Sequence, residues 1–227
     1  MATIPTIPWQ EPPAPLGIPP LQSGDRLTVE EFERRYGAMP HLKKAELIEG
    51  VVYIPPPLSE DQARSLFDLV TWLGMYRWAT PGIIGARNGT VRLDVGNVPQ
   101  PDAYLRIDTR LGGRARLGPD RYVIGGPELI GEIAVTSANY DLREKLEVYR
   151  RNEVQEYVIW RVWDRAIDWF VLREGKYERL EPGADGVYRS LVLPGLWLDV
   201  QALLRGDLAT VARVAQAGIA SAEHLAF

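Results

Sequence analysis

Residues 128–149, ELIGEIAVTSANYDLREKLEVY, decide how this chain folds. The first half has the composition of a buried β-strand, yet Glu132 stands in its middle. Side chains alternate along an extended segment, so Ile130, Glu132 and Ala134 share one face, and Leu129, Ile133 and Val135 the other. Burying a lone carboxylate costs several kcal/mol or forces it to take up a proton, so a cationic partner is expected. The plain alternative is a strand whose Glu132 face meets water. The second half carries the spacing of a helix that starts at Asp141, with Glu144 as the reciprocal capping partner. Leu142, Lys145, Leu146 and Tyr149 then fall on one face, which makes Lys145 the cation on an apolar stripe. Its alternative is a stem that runs along apolar surface and sends the amine to water. Taken together, the misplaced acid and the misplaced amine point to one site.

Composition narrows what such a site can do. The 227 residues are 46% hydrophobic and 25% charged, as in an ordinary globular chain with room for a sizeable core. The absence of cysteine excludes disulfides, thiolate zinc sites and cysteine nucleophiles. The two histidines, His41 and His224, lie near opposite ends of the chain, so a histidine-rich metal site is excluded too. Carboxylates, lysine, arginine and a hard metal remain. A net charge of −4 gives no global attraction for nucleic acid. Residues 106–121 nevertheless hold Arg106, Arg110, Arg114, Arg116 and Arg121, which read either as a solvated loop or as a footprint for phosphates. No stretch approaches the roughly 18 apolar residues of a membrane span. The start MATIPTIPWQEPPAPLGIPP lacks the pattern of a secretory signal, so a cytoplasmic protein is expected.

The chain reads as a Pro-rich arm over 1–24 with Trp9 as an anchor, one α/β domain over 25–205, and a C-terminal helix over 206–227. Thr28 and Glu31 open a short helix that Gly37 stops. AELIEGVVYIPPP predicts two strands that turn at Glu49-Gly50. From Ser59 to Trp78, Leu66, Phe67, Leu69, Val70, Leu73 and Tyr76 repeat at helical spacing. Asn88-Gly89 signals a hairpin, and a strand follows Pro101. VQEYVIWRVW and AIDWFVLREG form two aromatic strands, with more sheet in KYERLEP and YRSLVLPG. Strands outnumber helices, which favours a mixed sheet with flanking helices. The apolar side of the C-terminal helix, with Leu208, Val211, Ala212 and Ala215, suits either a homodimer or docking on its own chain.

Asp102 gives the site a third member. A set of Asp, Glu and Lys without histidine or cysteine suits Mg²⁺ or Mn²⁺ held by oxygen ligands. At this point the motifs resemble a family. QPD at 100–102 and EIAVTSANYDLREKLEVYRRNEVQEYVIW at 132–160, flanked by AELIEG at 45–50 and LPGLWLDV at 193–200, are similar to the Uma-type restriction endonuclease family of the PD-(D/E)XK nuclease superfamily. The resemblance covers about residues 28–204. It implies a restriction-endonuclease-like core, cleavage of DNA, and a metal held by Asp102, Glu132 and the backbone carbonyl of Ile133, with Glu46 as a further ligand. Where the superfamily usually carries lysine two residues after the glutamate, this chain has Ala134, and Lys145 stands at the place the Uma-type pattern gives to the lysine. Many relatives open the long helix with His-Gln; here the pair is Asp61-Gln62. Two other functions stay open: a catalytically silent module on a nuclease scaffold, and a carboxylate-pair hydrolase acting on sugars.

Overall fold

The computed structural model describes residues 17–134 and 141–227. Trp9 and most of the Pro-rich arm lie outside the described residues, as does the Asp141 side chain and with it the cap expected there. In chain order the elements begin with α1 (Val29–Gly37), the hairpin β1 (Glu46–Ile48) and β2 (Val51–Tyr53), and the long helix α2 (Glu60–Ala79). Then come β3 (Ile83–Ala86), β4 (Val91–Arg92), β5 (Ala103–Ile107), β6 (Arg116–Leu117), β7 (Val123–Ile124) and β8 (Leu129–Ala134). One turn of π-helix, Asp141–Lys145, runs into α3 (Leu146–Arg151), and β9 (Glu156–Arg161), β10 (Ala166–Arg173) and β11 (Lys176–Arg179) follow. The chain ends with β12 (Val187–Arg189), β13 (Trp197–Asp199), α4 (Val200–Arg205), α5 (Leu208–Ile219) and α6 (Ala222–Leu225).

The local causes are plain. Thr28 caps α1 by accepting from the Glu31 N–H, and Ser59 and Gln62 form a reciprocal capping box on α2. The β1–β2 turn places both Glu49 and Gly50 at positive φ, 52° and 72°, as a two-residue hairpin turn requires. Asn88 also has a positive φ, but Asn88-Gly89 does not close a hairpin: β3 pairs with β5, while β4 pairs in parallel with β7. The turn instead hands the chain from one sheet to another, and the Asn88 N–H bonds to the Pro101 carbonyl.

The central sheet has six strands in the order β11-β10-β9-β8-β5-β3. Only β8 and β9 run parallel; the other neighbours are antiparallel. The mixed α/β architecture expected from the sequence is the one found. Strand β8 is buried on both faces, and its alternation sorts two cores. Leu129 and Ile133 join Leu69, Trp72 and Tyr76 of α2 and Val211 and Ala215 of α5. Ile130 and Ala134 join Val148 and Tyr149 of α3, together with Ile48 and Val91. Glu132 has the parity of Ile130 and therefore points to the α3 side. A third cluster, Leu21, Phe32, Met39, Leu47, Val52 and Val98, holds α1 and the hairpin against the body.

Two expectations change here. Phe67 shares the helical repeat of α2 but is 73% exposed, and Trp72 fills the core instead. The tail is two helices rather than one, α5 and α6, and α5 docks on β13, α2 and α4 of its own chain.

Candidate active site

Asp102 and Glu132 meet where the ladder between β5 and β8 ends. The last pair in register is Ala103–Gly131. Pro101 has no N–H to carry the ladder further, and the next two backbone donors are taken by side chains. The Ile133 N–H donates to Asp102 Oδ2 at 2.9 Å, and the Asp102 N–H to Glu132 Oε2 at 3.3 Å. This exchange fixes both carboxylates at one end of the sheet.

Lys145 comes to the same place from the helical side. Its amine lies 2.8 Å from Glu132 Oε1 and 3.0 Å from Glu46 Oε2. The π-helical turn that carries it is a type of local irregularity often found at functional sites. Only 2% of Lys145 and 3% of Glu132 is exposed, so neither the water-facing strand nor the outstretched lysine describes them. Glu46 arrives on β1, whose backbone is bridged to Val98. The Gln100 N–H donates to Glu46 Oε1 at 2.7 Å. The structure thus brings together Asp102, Glu132, Lys145, Glu46 and the backbone of Ile133.

Three further residues belong to the cluster and escaped the sequence reading. Lys44 Nζ lies 2.8 Å from Asp102 Oδ1, and the Tyr149 hydroxyl donates to Glu132 Oε1 at 2.9 Å. The Gln100 side chain accepts from the Ala45 N–H and donates to Thr90, which braces the strand leading to Asp102. Lys44 precedes a strand and sits in a run of polar residues, where lysine is ordinary. Only its alternation with Glu46, two residues on, marks it.

The electrostatics follow from three acids and two amines sharing a buried volume. Burial pushes the Glu132 carboxyl up, to about 8, against the pull of Lys145. Burial also acts to raise Asp102, but the Lys44 ammonium and the Ile133 N–H outweigh it and hold Asp102 below the ordinary carboxylate value. For Lys44, burial works against the charge, yet Glu46 and Asp102 more than compensate and raise it.

The donors are the hard oxygens that a Mg²⁺-class cation takes. As arranged, however, no group of three or more acidic or histidine side chains among the described residues forms a ready metal cage. The Lys145 ammonium stands between Glu46 and Glu132 instead, and the Lys44 ammonium lies against Asp102. The chemistry of the set fits a hard dication; lysines hold the places beside the acids.

The arginine run of 106–121 is not one patch. Arg106 is buried and donates to the Ala115 carbonyl. Arg110 pairs with Asp108 and Arg114 with Glu153, beyond the end of β5 that lies away from Asp102. Arg116, in β6, and Arg121, in the β6–β7 turn, are exposed. That turn is tied back through β4, whose Val91 N–H bonds to the Pro99 carbonyl on the approach to Asp102. Among the described residues no helix is long and apolar enough to cross a membrane.

The comparisons with known proteins agree with this architecture. No curated protein matches the chain. Among solved structures it is similar to one titled as a putative nuclease belonging to DUF820 from Anabaena variabilis ATCC 29413. The TM-score is 0.56 at 13% identity, over 78% of this chain and 99% of that one, a likeness of fold. The family model Uma2, described as "Putative restriction endonuclease", matches residues 29–201. That match takes in every residue of the cluster from Lys44 to Tyr149, and the chain belongs to the Uma2 family.

Proposed function

We propose that the chain is an endonuclease that hydrolyses DNA phosphodiester bonds with Mg²⁺ or Mn²⁺, held by Asp102, Glu132, Glu46 and the backbone carbonyl of Ile133. The observation that carries this reading is the burial of three carboxylates around two amines at the joint of β5 and β8. Such a cluster costs stability, and apolar residues of like volume would fill the space at least as well. When bound, the cation supplies Lewis-acid polarisation of the phosphate and acidifies water.

The chain's own residues do the positioning. The Asp102 and Ile133 N–H groups and the Tyr149 hydroxyl hold the two carboxylates in fixed rotamers. Lys145, pinned between Glu132 and Glu46, keeps the acids from repelling one another and places a positive charge where the scissile phosphate gains negative charge. Arg116 and Arg121 are the members of the arginine run assigned to backbone phosphates. In the test, Asp102→Asn and Glu132→Gln abolish Mg²⁺-dependent nicking of plasmid DNA while circular dichroism stays unchanged. Cleavage retained in both would overturn the assignment.

One observation favours a second reading, a catalytically silent module. Hydrogen-bond donors or ammonium groups already engage the oxygens of Asp102, Glu132 and Glu46. A folded protein that binds no Mn²⁺ at millimolar concentration would decide for it.

A further inference from the structure

Lysine is rare in this chain. There are four, Lys43, Lys44, Lys145 and Lys176, among 26 basic residues otherwise made of arginine. Two of the four stand in the acidic cluster. Arginine offers a planar fork suited to a fixed carboxylate pair, whereas lysine is a compact charge on a flexible four-carbon stem. The two site lysines are also held differently. Lys145 touches both Glu46 and Glu132 and has 3% of its side chain exposed. Among the described residues, Asp102 is the one carboxylate within ion-pair distance of Lys44, with 18% of the Lys44 side chain exposed beside 12% for Asp102. One amine is locked in and the other has a route to water.

Charge counting separates them further. With all three acids ionised, the form that takes up a cation, three carboxylates and two ammonium groups leave one negative charge in the buried volume. A dication added to that set would leave one positive charge. A dication that replaced Lys44 would leave none, and uncompensated buried charge is what such a site avoids.

Resting on the metal-dependent reading above, we propose that Lys44 occupies the cation seat beside Asp102 and is displaced to solvent when a divalent metal binds. Lys145 stays in place. Lys44 is therefore a competitor that sets metal affinity rather than a group that helps to hold the metal.

The opposite signs make this testable without measuring cleavage. Mn²⁺ binding is read from the free-ion electron paramagnetic resonance signal for the wild type, Lys44→Met and Asp102→Asn. In parallel, the full chain is acetylated with and without saturating Ca²⁺, and each lysine is quantified by mass spectrometry. Lys44→Met is expected to bind Mn²⁺ about five- to tenfold more tightly, the scale of one partly exposed ion pair removed. Acetylation of Lys44 is expected to rise with Ca²⁺ while exposed Lys43 and Lys176 and buried Lys145 do not change. Equal or weaker Mn²⁺ binding by Lys44→Met, or a Lys44 that stays protected in saturating Ca²⁺, overturns the displacement. If Asp102→Asn loses Mn²⁺ while Lys44→Met gains nothing, the displacement alone fails. Mn²⁺ affinity indifferent to Asp102→Asn, or absent throughout, overturns the metal reading and this inference with it.

Discussion

A buried lysine is tolerated only where acids surround it, and Lys145 has two. Removing the amine takes away the ammonium that both Glu46 and Glu132 touch and leaves them only neutral donors, so Lys145→Met is expected to cost about 3–5 kcal/mol in urea unfolding. Adding Glu132→Gln should restore part of that loss, because one of the stranded charges is gone. Glu132 and Lys145 are legible in the sequence because each breaks a hydrophobic pattern. Lys44 is not, because a lysine before a strand breaks nothing. Glu156 is a second buried acid, which the sequence does not single out. It accepts from Ser190 Oγ and Trp169 Nε1 on one oxygen and from the Leu191 and Val192 N–H groups on the other. Burial nevertheless pushes it up to about 7 from the ordinary 4.5. Between those values the folded chain keeps a proton that the unfolded chain releases, so stability falls as pH rises through the window. Glu132, pushed up by burial to about 8, acts in the same direction. The urea midpoint of the wild type is expected to drop from pH 5 to pH 8, with about 3 kcal/mol of the fall due to Glu156. In Glu156→Gln that share should vanish; a midpoint that rises with pH in the wild type would contradict the account.

At the scale of elements, α2 and β8 show what periodicity settles and what it leaves open. The spacing of Leu66, Leu69, Leu73 and Tyr76 gives the helix and its buried side. It does not choose between Phe67 and Trp72, because that choice depends on what the facing elements offer. Trp72 can be buried because its indole N–H finds the Trp197 carbonyl at 2.8 Å, and its ring meets Trp169 edge-on at 5.7 Å. Both partners are remote in sequence. The consequence is a sharp contrast on one helix. Leu69→Ala should cost about 2–5 kcal/mol, whereas Phe67→Ser, at an exposed position, should stay within about 0.5 kcal/mol. Gly131 tests the same contact from the sheet. A Cβ there would stand 3.1 Å from Leu69 Cδ2, so any side chain at this point of β8 presses on α2. Gly131→Val is expected to lose about 1–3 kcal/mol by overpacking, with thermal melting as the measure.

For the whole molecule, the sheet separates the site from much of what stabilises it. Glu132 and Lys145 lie on the α3 side, while α2 and the C-terminal helices cover the other. The family match ends at residue 201, yet α5 supplies Val211 and Ala215 to the principal core. Beyond it, His224 packs against Tyr76 with ring centres 5.6 Å apart and shares a 2.8 Å hydrogen bond with Thr80 Oγ1. Glu223 accepts from the Trp197 indole at 2.7 Å. Val211 and Ala215 of the apolar side of α5 are taken up by the chain's own fold, while Leu208 stays exposed. The helix's amphipathic pattern was readable, but its destination was not, since a two-sided helix states only that something covers it. Ending the chain after Arg205 uncovers part of the core and removes three buried apolar side chains, Val211, Val214 and Ala215. That should lower stability by about 5 kcal/mol, a large part of a domain's usual margin. Because the removed segment packs on the α2 side of the sheet and the site lies on the α3 side, the truncated chain held well below its melting temperature should bind Mn²⁺ with unchanged affinity. An affinity that falls while near-ultraviolet circular dichroism still reports a packed core would show that the two faces of the sheet are coupled.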